Sequence, residues 1–229
     1  MSLAESQRSA GVNPFADPEV AARYESWYLQ EGRRSERLEK RLFGRLLAEV
    51  PGARSLLEVG CGTGHFTRWF QGLGLWTVGL DLSLAMLLEA RPLPVLPRVR
   101  ADAARLPFPD RSIDVVALVT TLEFLADPQR ALREALRVAR RGVLLGVLNR
   151  HSLLGRQLAR KAGPIWGSAR LYSLGELRRL VRLAAAGVVP RMVARTSLWP
   201  LWPGSLPLPW GGFIGLVARR AGERPPERG

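Results

Sequence analysis

The chain has 229 residues, 47% of them apolar, a single cysteine and a formal charge of +14. That length suits one α/β domain with a small appended cap, and no segment approaches the ~20 consecutive apolar residues of a membrane-spanning helix. One thiol excludes an intrachain disulfide and a cysteine-based zinc site, and the opening MSLAESQRSAGVNPF has neither the basic region nor the apolar run of a signal peptide, so a cytoplasmic protein without a metal is expected.

Residues 18–50 read as helical. Apolar and aromatic positions fall at Val20, Tyr24, Trp27 and Tyr28 and again at Leu38, Leu42, Leu46 and Leu47, close to the 3.6-residue period. Glu31-Gly32 interrupts them and Pro51-Gly52 ends the second helix. Short apolar runs then alternate with helical stretches: strands are expected at 55–59, 76–80, 95–100, 115–119 and 143–148, and helices at 66–73, 84–90 and 128–139. Continuous apolar runs suit strands covered on both faces, and their alternation with helices predicts a doubly wound, mostly parallel sheet.

Beyond Leu148 the rhythm changes. A basic helical piece spans 153–161, and a looser stretch surrounds Gly163-Pro164. The next helix, 173–185, opens with Ser173 and Glu176 spaced as a capping box. Strands at 192–197 and 212–219 are joined by WPLWPGSLPLPW, whose prolines exclude regular helix or central strand and leave a packed loop or a lid. The tail GERPPERG has a disordered composition. The expected organisation is a helical cap (1–50), a cofactor-binding core (51–149), a substrate-side insertion (150–172), a helix and strands completing the sheet (173–220) and a disordered tail (221–229).

The segment LLEVGCGTGHF carries the most chemistry. A buried strand runs straight into Gly60, Gly62 and Gly64 and then into a helix, so the backbone can turn tightly and approach a ligand with no Cβ in the way. A dinucleotide fingerprint would read G-x-G-x-x-G. Here the third glycine comes one residue early, His65 stands where glycine would be, and Glu58, two residues before Gly60, would repel a pyrophosphate. A carboxylate there suits a ligand with a cationic amino group.

This E-V-G-C-G-T-G string resembles the first motif of class I S-adenosylmethionine-dependent methyltransferases, in particular the ubiquinone/menaquinone-methyltransferase-like (methyltransferase type 11) subfamily. The resemblance implies a Rossmann-like, doubly wound, seven-stranded, mostly parallel sheet with an antiparallel last strand and an N-terminal helical cap. It also implies S-adenosyl-L-methionine as cofactor, with Glu58, Gly60, Cys61, Gly62 and Gly64 at its methionine half. Asp81, in GLDLS, would accept from the ribose hydroxyls, with Leu82 and Met86 along the adenine; Met86 can equally be core. Asp102 and the Ala103 backbone, in RADA, would meet the adenine amino group, and Thr120 would lie beside the site. The string LPFPDRSIDVV, and Asp127-Pro128 with ALREALRVAR, match structural parts of the same subfamily. Tyr24, Trp27, Tyr28, Gly32 and Glu39 look like its cap helices. There Tyr24 and Tyr28 would touch the methionine end, or Tyr24 and Trp27 would only pack the cap.

Methyl transfer from a sulfonium needs alignment and exclusion of water, and a general base only when the acceptor demands one. The acceptor is expected past the end of the fourth strand, at T-T-L-E-F-L. This is neither N-P-P-Y nor D-P-P-Y, and Glu123 stands where relatives carry histidine. Glu123 could bind a cationic or hydroxyl-bearing acceptor or make a structural hydrogen bond; His151, just after the fifth strand, is a rim candidate or a surface residue. Arg150, Arg156, Arg160, Lys161 and Arg170, with Trp199, Trp202 and Trp210, could form a basic and aromatic rim. Arginine supplies nearly all the positive charge and is spread over every predicted helix, which reads as a compositional preference more than a polyanion-binding face. The expected enzyme therefore methylates an O, N or C atom of a small molecule. The alternatives are an RNA methyltransferase, a non-catalytic S-adenosylmethionine-binding protein and an NAD-dependent oxidoreductase, the last disfavoured by His65 and Glu58.

Overall fold

In the computed structural model, which describes residues 13–30, 32–90, 97–161, 163, 165–186, 190–197, 205–206 and 208–220, the strands follow the expected apolar runs, except that of the run expected over 95–100 only 98–100 is strand among the described residues. These are β1 Ser55–Val59, β2 Trp76–Asp81, β3 Arg98–Arg100, β4 Ile113–Val119, β5 Ala139–Leu148, β6 Arg191–Ser197 and β7 Phe213–Arg219. The helices are α1 Pro18–Gln30, α2 Arg33–Leu47, α3 His65–Gly72, α4 Leu84–Glu89, α5 Pro128–Val138, α6 Leu153–Leu158 and α7 Leu174–Ala184. No helix among the described residues is long and apolar enough to cross a membrane.

The strands form one sheet in the order β3-β2-β1-β4-β5-β7-β6, parallel from β3 to β5. β7 runs antiparallel to both of its neighbours. The chain winds outward in opposite directions from β1 and β4, so the crevice beyond their carboxyl ends is the switch point where doubly wound sheets bind ligands.

Strand periodicity divides the core into two layers. Leu57, Val59, Val116, Leu118, Val143 and Leu145 face α5 and α7, whose Leu132, Ala135, Leu177 and Val181 are buried against them. Their neighbours Leu56, Val115, Ala117 and Leu144 face α2 and α3. On this second layer the ring of Phe43 stands edge-on to Phe66 at 5.7 Å and to Phe213 at 5.8 Å. A Cβ at Gly146 would lie 2.4 Å from Phe43 Cζ, so the missing side chain lets α2 settle directly on the sheet. The expected N-terminal cap therefore divides. Leu42, Phe43 and Leu46 make α2 part of the core, while α1 lies against α4 and the 3-10 turn Pro14–Ala16.

The expected strand over 143–148 begins four residues earlier, and the helix before it stops at Val138. Arg140 and Arg141 concealed that strand start. Their charge is matched at Asp114, 2.8 Å from Arg140 and 3.4 Å from Arg141, so a strand accepts them. The capping box of α7 is present: the Ser173 hydroxyl accepts from the Glu176 amide, and Glu176 accepts from the Ser173 amide at 2.8 Å. The basic helix after β5 is shorter than expected, ending at Leu158. Positions 95–96 and the tail 221–229 lie outside the described residues.

Candidate functional site

β1 ends in a loop that only glycine can trace. Gly60, Gly62 and Gly64 have φ of 72°, 54° and 80°, the left-handed region. The loop is fastened to β2 from below: Gly60 N and Cys61 N both donate to Leu80 O, at 2.7 and 3.0 Å. Asp81, the last residue of β2, braces it from the side, accepting from Gly62 N on Oδ2 and from Ser83 N on Oδ1, each at 2.8 Å. A carboxylate oxygen accepts more than one hydrogen bond, so Asp81 still has lone pairs for a ligand.

The neighbouring strand closes the crevice. A Cβ on Gly60 would stand 2.4 Å from Thr121 Cγ2, while the Thr121 hydroxyl lies 3.1 Å from Val59 O and 3.0 Å from Val119 O. Thr120 has φ of 48°, rare for a β-branched residue, and its amide donates to Gly146 O at 2.8 Å. Such strain gathers at functional sites, where surrounding structure sustains it.

Around the loop, a Cβ on Gly62 would meet Tyr24 Cε1 at 3.6 Å and Met86 Sδ at 4.0 Å, so α1 and α4 both border it. Met86 is buried, whereas Leu82 is 52% exposed at the mouth. Ser83 caps α4, its hydroxyl accepting from Met86 N and donating to Phe15 O at 2.6 Å. Phe15 lies edge-on to Tyr24 and, at 4.9 Å, to Phe124. The Pro14–Ala16 turn thus bridges α4 and the chain after β4. Asp102 is exposed, with Oδ1 accepting from Ala104 N, and Ala103 is buried. The side chains of Trp27 and Tyr28 lie outside the described residues.

Burial governs the acids. Glu58 is 2% exposed, accepts from the Thr67 hydroxyl and is pushed up to about 8 by burial. It sits buried at the base of the loop, where the sequence suggested a contact with the ligand's amino group, direct or through water. Burial also raises Asp81, against the lowering effect of the Ser83 and Gly62 amides. Burial lifts the Cys61 thiol well above its usual range, and its sulfur fills the space over Gly79, where a Cβ would be 2.8 Å away. Cys61 thus offers backbone to the loop while its side chain packs.

Glu123 sits in a 3-10 turn, Leu122–Phe124, that the sequence did not suggest. The turn is held by Arg170 N donating to Glu123 O at 2.8 Å and by the Tyr172 hydroxyl donating to Leu122 O at 3.1 Å. Glu123 is buried and takes Leu148 N on Oε1 at 2.7 Å. The other catalytic candidate, His151, is exposed on the turn after β5, and its amide donates to Asn149 Oδ1. His65, standing where a dinucleotide fingerprint would have glycine, pairs with Glu36 of α2 at 3.0 Å. Of the expected rim, Arg150 pairs with Glu176, while Arg156, Arg160, Lys161, Arg170 and Trp210 are exposed. Trp199 and Trp202 lie outside the described residues. No group of three or more His, Cys, Asp or Glu among the described residues is placed to hold a metal ion.

The arrangement fits a nucleoside carrying an amino-acid chain. A bare backbone loop lies beside Tyr24, an acid with spare lone pairs suits paired hydroxyls, Leu82 and Met86 offer apolar surface, and the exposed Asp102 suits an amino group. Thr121 was expected beside the acceptor, and the structure adds its packing against Gly60. Phe15 was missed in the sequence, where nothing local marks it.

A family model described as a methyltransferase domain matches residues 57–147. The chain is 32% identical over 145 residues to an uncharacterized protein of Methanocaldococcus jannaschii, covering 62% of this chain and 65% of that one. It is 38% identical over 104 residues to the demethylmenaquinone methyltransferase of Renibacterium salmoninarum, covering 45% and 44%. It thus spans between about half and two thirds of these relatives' lengths. A Thermotoga maritima protein described as a SAM-dependent methyltransferase, possible histamine N-methyltransferase, superposes with a TM-score of 0.73 at 27% identity, covering 89% of this chain and 97% of that one.

Proposed function

We propose that the chain acts as a class I S-adenosylmethionine-dependent methyltransferase, moving a methyl group from that cofactor to an oxygen, nitrogen or carbon atom of a small molecule, as its methyltransferase-domain match and its likeness to a SAM-dependent methyltransferase support. The observation that carries this reading is the bracing of the left-handed glycine loop by Asp81 at the switch point between β1 and β4. S-adenosylmethionine, when bound, supplies a methyl group on a positively charged sulfur.

The chain's own contribution is placement. The backbone from Gly60 to Gly64 would lie along the methionine and ribose, stiffened by Glu58 and Cys61 beneath it, with Tyr24 over the methionine end. Asp81 would take the ribose hydroxyls, Leu82 and Met86 the adenine ring, and Asp102 with the Ala103 amide its polar edge. Thr120 and Thr121 would border the acceptor, and residues 150–172 would cover it. Holding acceptor and methyl in line and dry supplies several kcal/mol of rate enhancement. A small-molecule acceptor is supported by the quinone methylated by one relative and the amine suggested for another.

The test is calorimetric titration of S-adenosylmethionine, S-adenosylhomocysteine and NAD into the wild type and Asp81→Ala. Both sulfur nucleotides should bind in the micromolar range, NAD should not, and the variant should bind at least about tenfold more weakly, as expected for loss of charged hydrogen bonds. NAD binding without the sulfur nucleotides would overturn the reading.

A further inference from the structure

Two buried carboxyl groups lie within electrostatic reach of each other near the turn after β4, where the acceptor is expected. Glu123 follows Thr120 and Thr121 at the end of β4 and is 1% exposed; Oε1 accepts from Leu148 N, and among the described residues Oε2 has no hydrogen-bond partner. Glu39, on α2, is 8% exposed and lies within electrostatic reach of Glu123. Neither forms an ion pair with a described residue, although the chain carries 34 Lys and Arg against 20 Asp and Glu. The nearest cation along α2, Lys40, is taken by Glu36, which also holds His65. A purely structural pair of this kind is costly, because a buried carboxyl is stabilised by a bonded partner or a cation, and here one oxygen lacks the first and both groups lack the second. A strongly basic protein that keeps two unpaired buried acids, one after β4 and one on α2, within electrostatic reach of each other is suited to receive positive charge there.

We propose that Glu39 and Glu123 select methyl acceptors carrying a basic nitrogen, whose ammonium docks against Glu123 Oε2 with Glu39 beside it. This rests on the methyltransferase reading and narrows it from small molecules in general to amines. The edge-on contact of Phe15 with Phe124 covers the same turn, so the charge pair would form away from water, where it is strongest.

The proton balance distinguishes recognition from packing. Burial pushes both acids up to about 8, Glu39 further by the Glu36 charge and partly back by Lys40. Tyr172 lies within electrostatic reach of Glu123 from the chain before α7, with the Arg170 guanidinium 5.5 Å from its ring centre. At pH 7 the pair is therefore largely protonated, and an arriving ammonium favours its ionised form. Binding should release protons.

The experiment titrates the S-adenosylhomocysteine complex of the full chain with phenethylamine, 2-phenylethanol and phenylacetate, and with hexylamine, hexanol and hexanoate. Calorimetry at pH 7 in two buffers of different ionisation enthalpy counts the protons. At least one amine should bind about tenfold or more tightly than its matched alcohol and acid, the scale of one charged hydrogen bond, with proton release. Glu123→Gln keeps an acceptor for Leu148 N and should abolish both the preference and the release while S-adenosylhomocysteine affinity is unchanged. Glu39→Gln, away from that amide, should weaken both, so the outcome does not hang on one variant folding. Equal binding of amine, alcohol and acid, no amine binding at all, or an unchanged preference in Glu123→Gln would each overturn the proposal. Loss of S-adenosylhomocysteine binding in folded Glu123→Gln would also overturn it, assigning the acids to the cofactor's own amino group. If the wild type does not bind S-adenosylhomocysteine, the methyltransferase reading falls first and this inference with it.

Discussion

Replacing Gly60 by alanine tests whether the glycine loop is fixed by backbone conformation alone or also by the strand beside it. Two costs are separable. A left-handed φ of 72° costs an alanine about 1 kcal/mol relative to glycine. The new Cβ would also stand 2.4 Å from Thr121 Cγ2 and 2.5 Å from its Oγ1, so Thr121 must move and its contacts with Val59 O and Val119 O are lost. Crowding of this kind adds about 1–3 kcal/mol, and the hydroxyl bond about 1 more. Gly74 supplies the control: it has φ of 85°, with nothing within 4 Å of a built Cβ, so Gly74→Ala reports the backbone cost alone. In urea unfolding, Gly74→Ala should lose about 1 kcal/mol and Gly60→Ala about 3–5. In thermal scans that is roughly 3 °C against roughly 10 °C for a chain of this length. Adding Thr121→Ala should recover part of the Gly60→Ala loss, a coupling that neighbouring sites show and distant ones do not. A Gly60→Ala loss no larger than that of Gly74→Ala would refute the packing argument.

Asp114 tests the base of the sheet. Burial alone would raise its carboxyl, but the Arg54 amide, the Arg140 guanidinium and the Ser55 hydroxyl and amide together hold it below the usual range. Such a group stabilises the fold above its unfolded value of about 4, and that contribution is lost as pH falls through the lower folded value. Asp114→Asn should therefore be less stable than wild type at pH 7, and their unfolding midpoints should converge below about pH 4. The opposite slope is expected at Glu58, raised to about 8 by burial: folding binds its proton, so stability falls between about pH 4.5 and 8, and Glu58→Gln should flatten that fall. Tyr24→Ala removes a half-buried ring that borders Gly62 and packs at the edge of the core, so S-adenosylhomocysteine should bind about three- to tenfold more weakly to a variant that urea unfolding shows to be folded.

The parts of this molecule that were legible in sequence are those whose cause is local. Strands β1, β2 and β4 are long enough and apolar enough on both faces that their period needs no context. The capping box at Ser173 and Glu176 is written in four consecutive positions, and three glycines between a strand and a helix specify a turn before any partner is known. The start of β5 was illegible because Arg140 and Arg141 belong in a strand only once Asp114, more than 20 residues earlier, neutralises them. The role of α2 was illegible for a related reason. Its amphipathic stripe announces a buried face, but only Gly146 on the far side of the chain, with no side chain to hold Phe43 off, shows that the face lies on the sheet. The acids follow the same rule. Glu58 stands next to the glycines, so its involvement is readable, yet its hydrogen bond to Thr67 turns it inward. Glu39 and Glu123 are 84 positions apart, and nothing in either neighbourhood says that they come within electrostatic reach of each other. A cofactor handled largely by backbone would leave its mark in a contiguous string, whereas an acceptor gripped, as proposed, by side chains from α2 and the turn after β4 would leave none, so the methyl donor is the more legible of the two in sequence.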